Sequence, residues 1–303
     1  MEKVWTILDL ITWGKAYFEE KGVDSPRLTM EILIAHVLQK ARIQLYTQFD
    51  RPLTETELTT LRAMIKRRAA REPLQYILGE TEFFGLTLAV TPAVLIPRPE
   101  TELLVEYVVN RIKEERTDSK NESGEETAIL DIGTGSGCIA IALAKNIPSS
   151  LSATLYGLDV SDSALALAQS NAKRYALTNI HFGKINILET VPKRRFSVIL
   201  SNPPYISTND MSELEPEVGD HEPRVALTDD DDGMRFYRRF AAIFPTMLEE
   251  KGWFAVEMGF GQAEQIQALF ATSGFETGII NDLAGIPRIC VGSRNIRTNV
   301  KTL

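Results

Sequence analysis

Apolar positions recur with a helical period through residues 1–75. Ile7, Leu8 and Ile11, with Tyr17 and Phe18 beyond them, share one 3.6-residue face, and Leu28, Ile32, Leu33, Ala35, His36 and Val37 share another. Asp24-Ser25-Pro26 between the two is turn and cap chemistry. A third helix is expected from near Thr54. Glu55 and Glu57 lie in its first turn and Lys66, Arg67, Arg68 and Arg71 at its end, which matches acid and base to the two ends of the helix dipole. This order accounts for the basic cluster without a ligand. His36, on an apolar face, reads as a core histidine. From Pro73 the texture changes: Glu82–Val90 carries aromatic and alternating residues around Gly85, as in a short hairpin that would connect two domains. A helix is then expected from about Glu100 through Leu103, Leu104, Tyr107 and Val108, giving way to a polar loop over Lys113–Glu126.

Beyond that loop the periodicity alternates. Strands are expected at Ala128–Asp131, Ala153–Asp159, Ile180–Phe182, Ser197–Ser201, Trp253–Glu257, Glu276–Ile280 and Arg288–Gly292. Helices are expected at Cys138–Lys145, Ser163–Arg174, Met234–Leu248 and Gln262–Thr272. Such alternation implies an α/β domain, a mostly parallel sheet with helices on both faces. The expected organisation is an all-α domain over 1–75, a hairpin linker over 76–97, a catalytic α/β domain over 98–294 and a tail over 295–303.

Composition narrows the field. The 33 basic and 41 acidic side chains leave a net charge of −8. Residues 1–75 hold 12 basic against 10 acidic side chains, net +2, and residues 76–303 hold 21 against 31, net −10. A phosphate-tracking surface is disfavoured on so acidic a domain, so duplex nucleic acid is a poor partner. The run Asp229–Asp232 lacks the alternating spacing of a calcium loop and reads as a solvated turn. The two cysteines, Cys138 and Cys290, and the three histidines are scattered, which argues against a disulfide framework or a structural zinc site. No apolar run approaches the ~18 residues that span a bilayer, and Asp9, Glu19 and Glu20 break the amino-terminal hydrophobics, so a cytoplasmic protein without a signal peptide is expected.

Two motifs carry chemistry. In Ile129-Leu130-Asp131-Ile132-Gly133-Thr134-Gly135-Ser136-Gly137 an apolar strand runs into a glycine turn at the head of a helix, the cofactor position of open α/β sheets. The spacing is Asp-x-Gly-x-Gly-x-Gly and not the GxGxxG of dinucleotide folds. Asp131 would repel a pyrophosphate but can pair with an ammonium, so a cofactor with an amino acid moiety fits better. Asp159 ends the next strand, placed to accept hydrogen bonds from ribose hydroxyls. These features resemble class I S-adenosylmethionine-dependent methyltransferases, in which the loop and the first acid hold the methionine part and the second acid the ribose. The resemblance adds Asn186 and Ile187, after the third strand, as the adenine edge. Many relatives have an acidic residue there, and this chain reads Lys184-Ile185-Asn186-Ile187.

The second motif is Asn202-Pro203-Pro204-Tyr205, delivered by the apolar strand Phe196–Ser201. Its two prolines end the ladder and stiffen the turn. The motif resembles the NPPY of methyltransferases acting on planar amino or amide nitrogens. Such a lone pair is conjugated, and no side-chain base deprotonates a carboxamide at neutral pH, so the route left is positioning. The Asn202 side chain and Pro203 carbonyl would engage the NH₂ hydrogens, and Tyr205 would stack on the flat group. On this reading the methylation rate should show no catalytic ionisation between about pH 6 and 9.

The motif alone leaves adenine N6, cytosine N4 and glutamine amides open. Pro73–Gly79, Phe83-Phe84-Gly85, Leu95–Glu102 with its Arg98-Pro99-Glu100-Thr101-Glu102 run, Asn202–Ile206, Glu222–Leu227 and Asp282–Gly285 together resemble the PrmC/HemK family, the peptide chain release factor glutamine methyltransferases, over nearly the whole chain. The resemblance implies methylation of the Gly-Gly-Gln glutamine of bacterial class 1 release factors, with Asn202, Pro203, Pro204, Tyr205, Arg98 and Glu100 toward substrate, no metal and no nucleic-acid substrate. The competing readings are a DNA or RNA amino-methyltransferase, a ribosomal-protein glutamine methyltransferase, and a non-catalytic S-adenosylmethionine-binding partner of the translation machinery. The Glu222-Pro223-Arg224 segment is left without a role between substrate contact and loop pinning.

Overall fold

The computed structural model describes residues 4–118, 126–148 and 151–294. They form two compact units: the described residues up to Glu80 with Glu215–His221, and those from Thr81 to Leu214 with those from Glu222 onward.

The smaller unit is built from helices α1 (Ile7–Glu20), α2 (Pro26–Leu38), α3 (Glu55–Ala69) and α4 (Leu74–Leu78). Thr6 and Thr54 each cap a helix reciprocally with an acid three residues on, Asp9 and Glu57. Ile7, Phe18, Met30, Leu33, Ile34 and Leu61 fill its core. The helical faces are narrower than the sequence pattern suggests: Leu8 and Leu28 are exposed. His36 is exposed as well and is not a core histidine, because it falls in the last turn of α2, one position past the buried Leu33-Ile34-Ala35 stripe. The polar residue buried in α2 is Glu31, held by Arg27, Arg42 and Tyr46 at 2.8–2.9 Å. Burial works to raise its pKa, but the hydrogen bonds from Arg27, Tyr46 and Arg42 prevail and hold it below the usual carboxylate range. The segment containing helix α8 (Pro216–Gly219, numbered in chain order) belongs to this unit, through Glu217, which pairs with Arg68 at 2.9 Å and Arg71 at 2.5 Å.

The larger unit opens with the hairpin of β1 (Glu80–Phe83) and β2 (Leu86–Ala89). Its two-residue turn places Phe84 and Gly85 both at positive φ, 50° and 72°, the backbone a tight hairpin requires. Phe83 and Leu88 are buried in the core of this unit, so the hairpin expected as a connector is packed structure from Thr81 onward. Helix α5 (Pro99–Asp118) continues through the first part of the stretch expected as loop, and 119–125 lie outside the described residues.

Strands β3 (Thr127–Ile132), β4 (Ala153–Asp159), β5 (Ile180–Lys184), β6 (Phe196–Ser201), β7 (Leu248–Glu257), β8 (Glu276–Asn281) and β9 (Pro287–Ser293) form one sheet in the order β5-β4-β3-β6-β7-β9-β8. The first five are parallel, and β9 inserts antiparallel between β7 and β8. Helices α6 (Cys138–Asn146), α7 (Asp162–Arg174), α10 (Arg235–Met247) and α11 (Ala263–Thr272) accompany the strands, with the one-turn α9 (Arg224–Leu227) in the loop after β6. Each face of the sheet is covered by its own apolar cluster, one around Leu104, Ile141 and Trp253, the other around Phe240, Phe244, Phe254 and Phe270. The strand β9 runs to Ser293, at the end of the span read as catalytic domain; the tail, 295–303, lies outside the described residues. No helix among the described residues is long and apolar enough to cross a membrane.

The chain winds outward from β3 in one direction through β4 and β5, then returns to β6 and continues to β7. The reversal leaves a crevice beyond the carboxyl ends of β3 and β6, the position where open α/β sheets bind ligands.

Candidate active site

The glycine loop fills one side of this crevice. Gly133, Gly135 and Gly137 take φ of 75°, 52° and 81°, values that a side chain rarely adopts, so the loop can turn from strand to helix within five residues. Gly137 is the N-terminal flank of α6; a Cβ there would press Ala168 and Ile141, so this glycine serves helix packing. The loop is anchored from behind by Asn171, whose amide donates to Ser136 O at 2.9 Å and exchanges hydrogen bonds with both backbone groups of Ala89 on β2.

Asp131 is buried at the end of β3. Its Oδ2 accepts from Thr134 Oγ1 at 2.7 Å, and its Oδ1 has no hydrogen-bond partner among the described residues. Burial pushes the carboxyl up to about 7; the Thr134 hydroxyl resists this and the Asp159 charge adds to it. A buried carboxylate oxygen without a donor is costly in isolation, and an ammonium is the group that would satisfy it. Asp159, half-buried at the end of β4, accepts one backbone N–H on each oxygen, from Gly135 at 2.9 Å and Ser161 at 2.9 Å, which leaves lone pairs on both for hydroxyl donors. Asn186 accepts Leu188 N–H at 3.1 Å on its side-chain oxygen. A cleft lined by Ile132–Ser136, Asp159, Asn186, Ile187, Arg98, Thr101 and Asn202–Pro204 joins the ribose and adenine acceptors. Asp131 is buried and outside that lining, next in the chain to Ile132, which is part of it. Its orphaned Oδ1, with the acceptors inside the cleft, makes the residues present fit S-adenosylmethionine.

Strand β6 delivers the second motif. The register Ile132↔Ser201 and the bond from Ser201 Oγ to Ile132 O, 2.8 Å, set the Asn202 turn level with the glycine loop. The turn is clamped from the far side by Gln262, whose amide nitrogen donates to Tyr205 O at 3.1 Å while its oxygen accepts from Gly259 N. Gly233, at φ 79°, passes so close to Tyr205 O that any Cβ would overlap it. The Asp229 carboxylate holds that bend by accepting from Asp231, Gly233 and Arg235 N–H groups at 2.8–3.0 Å. Asp229 is thus buried and structural; the rest of the acidic run, read as a solvated turn, pairs with Arg224 and Arg238.

Behind Asn202 lies a polar chain that the sequence reading missed. Asn202 Nδ2 donates to Thr101 Oγ1 at 3.0 Å, and Thr101 Oγ1 donates to Glu257 Oε2 at 2.7 Å. The Tyr205 hydroxyl reaches Glu257 Oε1 at 3.5 Å, the limit of a hydrogen bond. Glu257 is buried, and burial pushes its carboxyl up to about 7 against the Thr101 hydrogen bond. The signal was available: Glu257 is an acid ending an apolar strand at the carboxyl edge of the sheet, as Asp131 and Asp159 are. Tyr205 is half-buried, with its hydroxyl toward Glu257, and does not line the cleft; burial raises its pKa above the usual phenol value.

Arg98 lines the cleft from an ion pair with Glu222 at 2.6 Å, and Glu222 also accepts Ile96 N–H at 3.2 Å. Glu222 is therefore a pin for the 96–98 loop, and Arg224 is bound to Asp230. Glu100 is exposed and outside the cleft lining.

A doubly wound sheet with an acid-tipped glycine loop on one side of its crevice and an Asn-Pro-Pro-Tyr turn on the other defines a class I S-adenosylmethionine-dependent methyltransferase. Comparison with known proteins refines this. Residues 9–79 match the PrmC N-terminal domain and residues 103–215 the methyltransferase small domain. The release factor glutamine methyltransferase of Geobacter sulfurreducens is 43% identical over 293 residues, 96% of this chain and 98% of its own. That of Coxiella burnetii is 37% identical over 271 residues, 89% of this chain and 92% of its own. The chain belongs to the release factor glutamine methyltransferase family. Among solved structures, a methyltransferase from Pyrococcus furiosus (TM-score 0.50, 18% identity, 78% of this chain and 98% of that one) and the hMettl16 catalytic domain in complex with the MAT2A 3′UTR hairpin 6 (TM-score 0.53, 15% identity, 83% and 87%) share the fold.

Proposed function

We propose that this chain transfers the methyl group of S-adenosylmethionine to the side-chain amide nitrogen of the glutamine in the Gly-Gly-Gln motif of class 1 release factors. The observation that carries this reading is that Asn202–Pro204 share one cleft with the Gly133–Ser136 loop, in a chain 43% identical over nearly its full length to a release factor glutamine methyltransferase.

The bound cofactor supplies an electrophilic methyl group on a sulfonium. Asp131, with one oxygen held by Thr134, offers the other to the ammonium of the methionine part; Asp159 accepts from the ribose, and Asn186 and Ile187 form the adenine edge. Asn202 Oδ1 and the Pro203 carbonyl accept the two N–H bonds of the glutamine amide. Two acceptors fix the plane of the NH₂ group and enrich its nitrogen, which is the contribution available where no base can ionise a carboxamide. Transfer would discharge the sulfonium and release one amide proton to solvent, so a dry crevice would not oppose it; Asn202 and Pro203 would hold the amide hydrogens meanwhile. Pro204 walls the amide, Tyr205 stiffens the turn from outside the cleft, and Arg98 is presented rigidly by Glu222.

A single amide gives little specificity, so remote contacts must provide most of the binding energy. Residues 1–75, net +2 and without recognisable chemistry, dock a separate domain of the release factor. A translation factor as substrate implies work in the cytoplasm. A nucleic-acid amino-methyltransferase is disfavoured by the net −10 of residues 76–303. The test is a tritiated-methyl transfer assay with release factor, ribosomal protein and DNA side by side. Label in the release factor alone is expected; label in DNA or ribosomal protein with none in release factor would overturn the reading.

A further inference from the structure

We propose that Thr101 and Glu257 are positioning residues that set the polarity of the Asn202 amide, holding its Oδ1 toward the substrate nitrogen. This inference rests on the glutamine-methyltransferase reading of the site.

The argument is one of donor and acceptor counting. A side-chain amide has an oxygen that accepts and a nitrogen that donates, and the two exchange places by a half-turn of the group. If the nitrogen faced the substrate NH₂, donor would meet donor and the amide would be repelled. Something must therefore forbid the half-turn. Thr101 has one hydroxyl proton, and that proton goes to Glu257 Oε2 at 2.7 Å. An ionised carboxylate only accepts, so Thr101 Oγ1 is left to accept from Asn202, and the group 3.0 Å away must be Nδ2. Oδ1 is then the arm turned away from Thr101. The register places the pieces: Ser201 pairs with Val256, so Asn202 and Glu257 follow side by side at the ends of β6 and β7, while Thr101 is buried in the first turn of α5. Nothing in the chain's interior requires a carboxylate at position 257 for packing, since apolar residues from Trp253 to Val256 fill the rest of that strand segment.

The device has a direction in pH. Protonated Glu257 can donate to Thr101 Oγ1, which frees the Thr101 proton for Asn202 Oδ1 and lets the amide turn over. Burial pushes Glu257 up to about 7, opposed by the Thr101 hydrogen bond, with Glu100 adding to the rise and Arg288 and Tyr205 countering it. Tyr237 Oη donates at 2.8 Å to the backbone carbonyl of Glu257 and not to its carboxylate. Arg98, just ahead of α5 and paired with Glu222, acts on the neighbouring Tyr205, and the charge of Glu257 is felt at Cys138 on α6. Transfer should therefore fall as pH drops through about 7, even with cofactor saturating.

Two arms test this. In single-turnover transfer at saturating S-adenosylmethionine, Thr101→Val should lose about 10²-fold in rate with calorimetric cofactor affinity unchanged, while Thr101→Ser should stay within about threefold of the parent, since it keeps the hydroxyl. The second arm needs no substrate. In full-length protein labelled with ¹⁵N at asparagine, the side-chain resonance absent from Asn202→Ala should titrate near pH 7, should be retained in Asp131→Asn, and should stay flat in Glu257→Gln. A Thr101→Val enzyme at parental rate, or an Asn202 resonance that ignores pH or titrates equally in Glu257→Gln, would overturn the proposal. An Asn202 resonance that titrates as expected in a protein inactive on release factor would leave the polarity device standing and overturn the substrate reading alone.

Discussion

At the scale of single residues, the site rests on carboxylates whose burial is opposed to their charge. Folded Asp131 and Glu257 titrate near 7, above their ordinary values of 3.8 and 4.5. Between about pH 4 and 7 the folded state thus holds more protons than the unfolded chain, and from these groups stability falls as pH rises through that window. Asp131→Asn removes one of the two charges. Urea denaturation of cofactor-free protein should find the variant more stable than the parent at pH 8 and little different at pH 4, while calorimetry should find its S-adenosylmethionine affinity reduced at least about tenfold, the loss of one charged hydrogen bond. A variant that binds normally would remove Asp131 from the ammonium site. Asn202→Ala separates the two halves of the crevice: cofactor affinity within about threefold of the parent, transfer down by about 10²-fold or more. A variant keeping most of its single-turnover rate would remove Asn202 from the role of aiming the nitrogen. Asp131, Asp159 and Asn202 were legible in the sequence because each falls at the carboxyl end of an apolar strand, and Glu257 carries that same signal without having been singled out. Thr101 acts through a hydrogen-bond chain between distant segments, which periodicity does not carry. The sequence reading expects a pH-independent rate between about 6 and 9; Glu257 adds a group that titrates inside that range.

At the scale of elements, the strands and long helices follow the hydrophobic period closely, and β4 begins and ends at the expected residues, Ala153 and Asp159. Departures occur where period is absent or charge misleads. Helix α5 runs on to Asp118 because Lys113, Glu114, Glu115 and Arg116 are good helix formers, and polarity alone does not end a helix. Helices α8 and α9 are single turns, four residues each, too short to display a period. The union of β2 with the glycine loop depends on Asn171, a polar residue in the middle of α7 that sequence offers no reason to single out. Asn171→Ala would strip hydrogen bonds from Ala89 N, Ala89 O and Ser136 O. Ser136 O would be a buried orphan, costing roughly 1–3 kcal/mol, while the partly buried Ala89 groups can recover water and add little; denaturant unfolding should therefore find a loss of about 2–4 kcal/mol, with weakened cofactor binding because the loop loses its anchor. Unchanged stability would mean that the hairpin and the loop are held by packing alone.

At the scale of the whole molecule, the charge division between residues 1–75 and the remainder was plain in the sequence, and so was the all-helical nature of the first part. What was not visible is that Glu215–His221 folds with the helices of the smaller unit through Glu217, since a pairing across more than a hundred residues leaves no local pattern. The helical unit exposes Trp13 and Ile43. If it docks the release factor, Trp13→Ala with Ile43→Ser should raise KM for intact release factor by about tenfold or more, as truncation of interface anchors does, and leave KM for a short Gly-Gly-Gln peptide unchanged. Equal effects on both substrates would make the unit a stability element. The central claim, that the crevice methylates a glutamine amide, is tested most directly by mapping the product. Release factor incubated with the enzyme and S-adenosylmethionine is digested, and the modified residue is located by tandem mass spectrometry. The expected result is a single methyl group on the side-chain nitrogen of the Gly-Gly-Gln glutamine, absent when Asn202→Ala replaces the enzyme; a methyl group on any other residue, or none, would contradict the account.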